Sequence, residues 1–200
     1  MKLRGLYAVT PECADSEVLL RKTEQALRGG IALLQYRSKA TRPDLAEARE
    51  LARLSRRYGV PLIVNDDVDL ALQVEADGAH LGRDDGDLAR SRKRLHGKLL
   101  GASCYDSLDR ARNAVAAGAD YVAFGSVFAS GTKPGATRAP LSLFAAARAL
   151  GVPLCAIGGI TAENAAQVVN AGADLLAVIA DLFGAADIAG QARRYAAAFA

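Results

Sequence analysis

Three clusters in this sequence of 200 residues have side chains of the type and spacing that chemistry requires. Gln35-x-Arg37-x-Lys39 puts an amide and two cations at every second residue. On an extended chain that spacing turns all three to one side. A planar guanidinium, a compact ammonium and an amide facing one way suit a polyanion, and a diphosphate best. The second cluster is acidic: Asn65-Asp66-Asp67 with Asp69, and further on Asp84-Asp85. Hard oxygen donors in two neighbouring groups can hold one Mg²⁺ between them, with water and phosphate oxygens completing the octahedron. Asp66 or Asp67 can equally cap a helix running through Glu75, and the two uses are compatible. The Asn65-x-Asp67-x-Asp69 spacing looks like the start of a calcium loop, but no glycine or distal glutamate follows in register. The third cluster is the long segment 125–138, which carries Ser126, Ser130, Thr132, Lys133 and several glycines and suits a second anion or a closing cap.

The elements that must position these residues are read from the apolar pattern. Pro61-Leu62-Ile63-Val64 is a short run without alternation, as in a strand buried on both faces of a parallel sheet. A carboxylate cannot stay inside such a run, so Asn65 and Asp66 belong at its carboxyl end. The same pattern predicts strands at 5–10, 31–35, 78–81, 99–103, 121–124, 153–157 and 175–179. Between them fall helical stretches: one capped at Asp15 or Ser16 and ended by Gly29-Gly30, one opened by Pro43 and ended by Gly59, and one from Asp66 or Asp67 to Glu75. Further helices are expected over 88–95, from Ser107 to Ala117, over 142–150, from Thr161 to near Gly172, and near 188–199. Eight strands alternating with roughly eight helices predict a (β/α)₈ TIM barrel, a single compact domain over 1–200. Ala117-Gly118-Ala119-Asp120 and Ala171-Gly172-Ala173-Asp174 repeat at joints before strands, as do Gly59-Val60-Pro61 and Gly151-Val152-Pro153. They read as turn chemistry at the bottom of the barrel. A doubly wound open sheet is the alternative, but no G-x-G-x-x-G follows the first strand.

The active site of such a barrel is built from the carboxyl ends of its strands. Those ends carry the Gln35 cluster, Asn65 and Asp66, Asp84 and Asp85, Ser103, the 125–138 segment, Gly158-Gly159-Ile160-Thr161 and Ile179-Ala180-Asp181. Backbone amides after the last two strands form the usual phosphate cradle, and glycines let the backbone come close. The inventory is two anion sites with a metal between cationic and acidic walls. No Ser-His-Asp or Cys-His arrangement stands out. The residues therefore point to a transferase or isomerase acting on phosphorylated small molecules, with Mg²⁺ holding a diphosphate.

Composition narrows the field. Hydrophobic residues make up 51% of the chain, but no uncharged apolar run approaches the ~20 residues of a membrane helix. No signal peptide is evident, and a cytoplasmic location is expected. Cys13, Cys104 and Cys155 are widely spaced and form no zinc or disulfide pattern; inert packing is expected for the last two. A net charge of +3 is mild and suits anionic small substrates. Arg90, Arg92, Lys93, Arg94, His96 and Lys98 crowd one helix, but without interleaved aromatics they read as a solvated surface, with no nucleic-acid or membrane partner expected. His80, inside a strand, reads as a hydrogen-bonded structural histidine. Assembly with identical chains is left open.

Taken in order, the strand-end motifs are similar to those of the thiamine phosphate synthase family. They are Gln35-x-Arg37-x-Lys39, Ile63-Val64-Asn65-Asp66, Gly78-Ala79-His80-Leu81-Gly82-Arg83-Asp84-Asp85, Gly101-Ala102-Ser103, Phe124 through Lys133, and Ile157 through Thr161. The resemblance spans nearly the whole chain. It implies condensation of 4-amino-2-methyl-5-(diphosphomethyl)pyrimidine with a thiazole phosphate, releasing pyrophosphate and thiamine phosphate. By the same resemblance, Gln35, Arg37, Lys39 and Asn65 bind the pyrimidine diphosphate, and Asp66 and Asp85 hold Mg²⁺. Ser103 lies near the pyrimidine and Lys133 contacts the departing pyrophosphate. Ser130, Thr132, Gly159 and the amides of Ile179 and Ala180 hold the thiazole phosphate. This chain departs from the pattern in having Ala180 where serine is common, Arg83 where glutamine is common, and Gly131 where proline is frequent. A related thiazole tautomerase uses a histidine where this chain has Ser126, and ranks below. A non-catalytic sensor of thiamine precursors and a nucleic-acid binder are the rivals from other classes.

Overall fold

The buried run Leu62-Ile63-Val64 needs apolar cover on both faces, and the chain supplies it by closing the sheet on itself inside a ring of helices. A computed structural model describes residues 3–39, 43–129 and 138–200. Eight strands alternate with helices: β1 (Gly5–Val9), β2 (Leu33–Tyr36), β3 (Leu62–Asn65), β4 (Gly78–Leu81), β5 (Leu99–Tyr105), β6 (Tyr121–Gly125), β7 (Leu154–Ile157) and β8 (Leu175–Val178). Each pairs in parallel with its sequence neighbours, and β8 returns to β1, so the sheet is a closed barrel in chain order. The (β/α)₈ expectation is met.

The helices are α1 (Ser16–Arg28), α2 (Leu45–Arg57), α3 (Val68–Gln73), α4 (Leu88–Arg94), α5 (Leu108–Ala116), α6 (Ser142–Ala147), α7 (Ala165–Asn170), α8 (Ala180–Phe183) and α9 (Ile188–Ala197). Five open on aspartate caps: Asp15, Asp44, Asp67, Asp87 and Asp187 each accept first-turn N–H groups. Asp67 is therefore the cap of α3, which leaves Asp66 to the barrel mouth. The helix expected over 142–150 tightens into a 3₁₀ turn after Ala147, and α7 starts only at Ala165, behind Asn164. α8 was not foreseen.

The core has two layers. Leu6, Leu34, Val64, Leu81, Val122, Phe124 and their outward neighbours pack under the helices. A smaller cluster fills the barrel itself, with Tyr7, Leu33, Ile63, Tyr121, Cys155 and Leu175. Cys104 and Cys155 are buried free thiols; burial pushes the Cys104 thiol up to about 12 and Cys155 higher still, in keeping with inert packing. No helix among the described residues is long and apolar enough to cross a membrane.

The joints at the barrel bottom hold more than turn chemistry. Asp77, Asp120 and Asp174 each stand just before a strand and accept, through Oδ2, an N–H at the start of the strand before: Leu62 at 2.8 Å, Leu100 at 2.7 Å and Leu154 at 3.0 Å. Asp174 is 8% exposed and also receives Arg148 at 3.2 Å. Removing a buried charged acceptor strands the Leu154 N–H and the guanidinium. Asp174→Ala is expected to cost about 2 kcal/mol, which lowers Tm by roughly 4–8 °C in a chain of this size, with the turnover rate at 25 °C unchanged. Thermal unfolding checks it, and an unaltered Tm would refute the strap.

The basic stretch is similarly committed. Arg92 bonds Asp120 at 2.8 Å and the carbonyls of Leu95 and Lys98; Arg94 pairs with Asp69; Lys98 reaches the carbonyl of Ala76 at 2.5 Å. Arg92 and Lys98 tie α4 and the turn after it to the barrel bottom, and Arg94 joins α4 to α3.

Candidate active site

Strands β3 and β4 are hydrogen-bonded neighbours, with Asn65 opposite His80 in register. Their carboxyl ends therefore open side by side. Asp66 follows β3 in a left-handed conformation, φ 63°, held by a bond from its N–H to the His80 carbonyl at 2.8 Å. Aspartate and asparagine tolerate that region better than most residues. Its exposed carboxylate accepts Asn65 Nδ2 at 2.5 Å. Asp85, also exposed, folds back so that Oδ2 accepts the Gly82 N–H at 2.7 Å. A Cβ on Gly82 would sit 2.7 Å from that oxygen and would push the Asp85 carboxylate off this bond. Two carboxylates on adjacent strand ends form an all-oxygen donor set. Mg²⁺ is commonly held by one or two carboxylates plus substrate phosphates and water. Among the described residues no group of three or more His, Cys, Asp or Glu side chains gathers at one point. Asp66 and Asp85 are both exposed oxygen donors, the type a hard cation takes.

Behind this rim a buried chain of polar side chains crosses the barrel. Gln35 Nε2 donates to the Tyr7 hydroxyl at 2.7 Å, the Tyr7 and Tyr121 hydroxyls are 2.8 Å apart, and Tyr121 lies 3.1 Å from His80 Nδ1. His80 Nε2 is 2.9 Å from Ser103 Oγ, at the edge of the mouth. The Tyr7 and Tyr121 rings meet edge-on, with centroids 5.9 Å apart. Burial lowers His80 to about 4, with Asp85 pulling the other way, so the imidazole is neutral near pH 7. Burial likewise raises both phenols well above their ordinary value. His80 is hydrogen-bonded through both nitrogens, as the sequence suggested. Tyr7 and Tyr121 were not singled out. A tyrosine in an otherwise apolar strand was the available signal, because a buried hydroxyl needs a partner.

The Gln35 cluster divides. β2 ends at Tyr36, so strict alternation ends there too. Gln35 is buried and turned into the barrel. Arg37 is half-buried and 3.6 Å from Glu12, its backbone N–H held by Thr10 Oγ1 at 2.9 Å, while Lys39 is exposed.

Across the mouth, four strands away in the closed order, stand the ends of β7 and β8. Gly158 and Gly159 have φ of 103° and 65°. A Cβ on Gly159 would fall 2.4 Å from the Ala129 carbonyl oxygen. Asn164 clamps the turn, donating to the Gly159 carbonyl at 3.0 Å and accepting the Thr161 N–H at 2.9 Å. Ile179 precedes α8, and Ala180 at its start is exposed. Asp181 ties this corner down: Oδ2 accepts Tyr195 at 2.6 Å, Gln191 at 2.6 Å and the Ala162 N–H at 3.3 Å. That anchoring role of Asp181 was not read from sequence. Ser126 turns away and donates to the Phe128 carbonyl at 2.6 Å.

A cavity of about 590 Å³ opens beside the site, between the segment after β4 and α5, and reaches Ser103. Arg83 lies over the Tyr105 ring at 5.1 Å, and Arg110 over the same ring at 5.6 Å. Arg83 thus leans on an aromatic face. Ser130, Thr132 and Lys133 lie outside the described residues.

Comparison with known proteins gives a consistent result. The family model described as thiamine monophosphate synthase matches residues 6–182. A protein of Azoarcus sp. named thiamine-phosphate synthase is 57% identical, over 100% of this chain and 98% of its own length. Another of that name from Aromatoleum aromaticum is 55% identical, over 99% of this chain and 97% of its own. The solved structure of thiamine phosphate pyrophosphorylase from Pyrococcus furiosus superposes with a TM-score of 0.86 at 32% identity, covering 98% of this chain and 96% of that one.

Proposed function

The chain belongs to the thiamine monophosphate synthase family, and from that premise we propose how its barrel joins two substrates. The reaction is the condensation of 4-amino-2-methyl-5-(diphosphomethyl)pyrimidine with a thiazole phosphate, giving thiamine phosphate and pyrophosphate, with residues 1–200 acting as one domain. The observation that carries the reading is the opposition in the mouth: an acidic rim on β3 and β4 faces a glycine turn on β7 and β8. Each side serves one phosphorylated substrate.

On the β3–β4 side, Asp66 and Asp85 would hold Mg²⁺, which when bound supplies positive charge to the diphosphate. Asn65, Arg37 and Lys39 bind the diphosphate, and the buried Gln35 braces the floor of the pyrimidine site through Tyr7. Ser103 meets the pyrimidine. Arg37 and Lys133 stabilise the charge that develops on the leaving pyrophosphate. The electron-rich aminopyrimidine carries the methylene cation left behind, so no enzymic nucleophile is required. On the other side Gly159, the amides of Ile179 and Ala180, and Ser130 and Thr132 hold the thiazole phosphate, and place its ring nitrogen for attack. The residues act by orientation and by excluding water. Backbone amides suffice at position 180, which fits alanine there. Ser126, committed to the Phe128 carbonyl, offers no base for the tautomerase reaction. Three free cysteines, two of them buried, suit a reducing compartment, and the reading places the protein in the cytoplasm.

The test is pyrophosphate release by the purified protein. Release is expected only with both substrates and Mg²⁺, with thiamine phosphate formed in equal amount. Pyrimidine diphosphate binding without any turnover would favour a sensor, and no binding of either substrate would overturn the reading.

A further inference from the structure

The buried chain Gln35–Tyr7–Tyr121–His80–Ser103 has a direction. Each phenol owns one proton and each neutral imidazole one N–H, so fixing the donor at one end fixes every bond after it. The Gln35 amide nitrogen, which can only donate, faces Tyr7 at 2.7 Å. Among the described residues the Tyr7 hydroxyl has no acceptor in reach but Tyr121, 2.8 Å away, so its own proton is bonded only when it donates there. Tyr121, having accepted, must donate to His80 Nδ1 at 3.1 Å. An imidazole that accepts at Nδ1 carries its proton on Nε2, and that N–H points at Ser103 Oγ, 2.9 Å away. We infer that this one-way chain sets the tautomer of His80 and turns the Ser103 hydroxyl proton outward, making Ser103 a donor to an acceptor atom of the substrate. The claim that the acceptor is a ring nitrogen of the aminopyrimidine rests on the function proposed above; the polarity of the chain does not.

Several features keep the direction fixed. All five side chains hang from different strands of one closed barrel, so the sheet fixes the spacing between them. Gln35 and His80 are 5% and 7% exposed, and Tyr7 and Tyr121 are fully buried, so bulk water does not enter to reverse a bond. Burial also keeps both phenols protonated, and a ring nitrogen that accepts from Tyr121 carries no proton of its own. Gln35, Tyr7, Tyr121 and His80 are thus positioning residues. They act on the substrate through Ser103.

The chain has only two histidines, and the other, His96, is exposed, so long-range ¹H–¹⁵N spectra of the free protein read His80 directly. A single tautomer protonated at Nε2 is expected. A Nδ1-protonated His80 would overturn the proposal, because the bonds from His80 to Tyr7 would then run the other way. Two variants test the relay. Gln35→Met keeps the length and removes the donor, so the direction is no longer imposed and the single tautomer should give way to a mixture. In Tyr121→Phe, which keeps the ring and removes the link, the single tautomer should be lost. Persistence of the wild-type tautomer in both folded variants would show that something other than the chain sets it.

Binding of two analogues tests Ser103 itself. A pyridine analogue lacking the ring nitrogen acceptor should bind about tenfold more weakly to wild type and equally to Ser103→Ala. Equal binding to wild type of both rings would overturn the donor role. Failure of either ring to bind at all would overturn the proposed function and the substrate half of this inference, while the tautomer measured in the free protein would stand.

Discussion

Asp66→Asn is expected to lower kcat/KM for pyrophosphate release by about 10³-fold, equivalent to roughly 4 kcal/mol of transition-state stabilisation. Asparagine is the informative replacement. Asp66 sits at φ 63°, where alanine would add backbone strain, whereas asparagine accepts that region nearly as well as aspartate. The substitution therefore removes the charge and keeps the shape. Its backbone bond to the His80 carbonyl does not depend on the side chain, so Tm should stay within about 2 °C, the shift from no more than about 1 kcal/mol. In the proposed site the loss falls on charge developed by the leaving group, a term for which single preorganised groups commonly account for 10²–10³-fold. The Mg²⁺ concentration needed for half-maximal rate should rise in parallel. Activity within threefold of wild type, at an unchanged Mg²⁺ requirement, would remove Asp66 from the site.

Gly101→Ala should be among the most damaging single-methyl additions to this barrel. Gly101 lies in β5, where its strand passes the Tyr121–His80 contact. A Cβ there would fall 2.2 Å from Tyr121 Cζ, 2.3 Å from its hydroxyl oxygen and 2.5 Å from His80 Nδ1. Those atoms are not the ends of flexible side chains. They are rigid rings locked between strands, so the backbone has to give. Overpacking of this kind costs about 3 kcal/mol, and a Tm lower by roughly 6–12 °C follows for a chain of this length. Propensity alone predicts the opposite sign, because alanine is favoured over glycine inside a strand by about 0.5–1 kcal/mol. Calorimetry decides between them, and a variant as stable as wild type would mean that the rings yield.

The sequence made the barrel legible because each strand is a short apolar run that stops at a polar residue, and burial on both faces leaves few other arrangements. Leu62 to Asn65 is the clearest case. Helix starts were legible for the same local reason: aspartate or serine before an amphipathic stretch satisfies free N–H groups. α8 escaped because four residues after a strand carry no periodicity. Positions were legible where a polar residue follows an apolar run, as at Asp66, which the structure places directly after β3. They were less so where a residue acts through a distant partner. Gln35 looked like a companion of Arg37, but its strand ends one residue later and its amide turns to Tyr7, 28 positions back. Asp181 and Arg92 draw their roles from Tyr195 and Asp120, which no local spacing joins.

The aspartate straps at the barrel bottom have a kinetic consequence. Asp77, Asp120 and Asp174 close loops spanning only 15, 20 and 20 positions. Short loops lose little entropy on closing, and chains rich in such contacts fold fast for their size. Each strap lets one strand–helix–strand unit lock its own register before it meets the rest. The seam is different. The β1–β8 pairing and the bond from Arg4 to the Phe199 carbonyl join the two ends of the chain. The cylinder should therefore assemble as a row of prefabricated staves, with the first and last brought together at the end, and it should come apart along that same line.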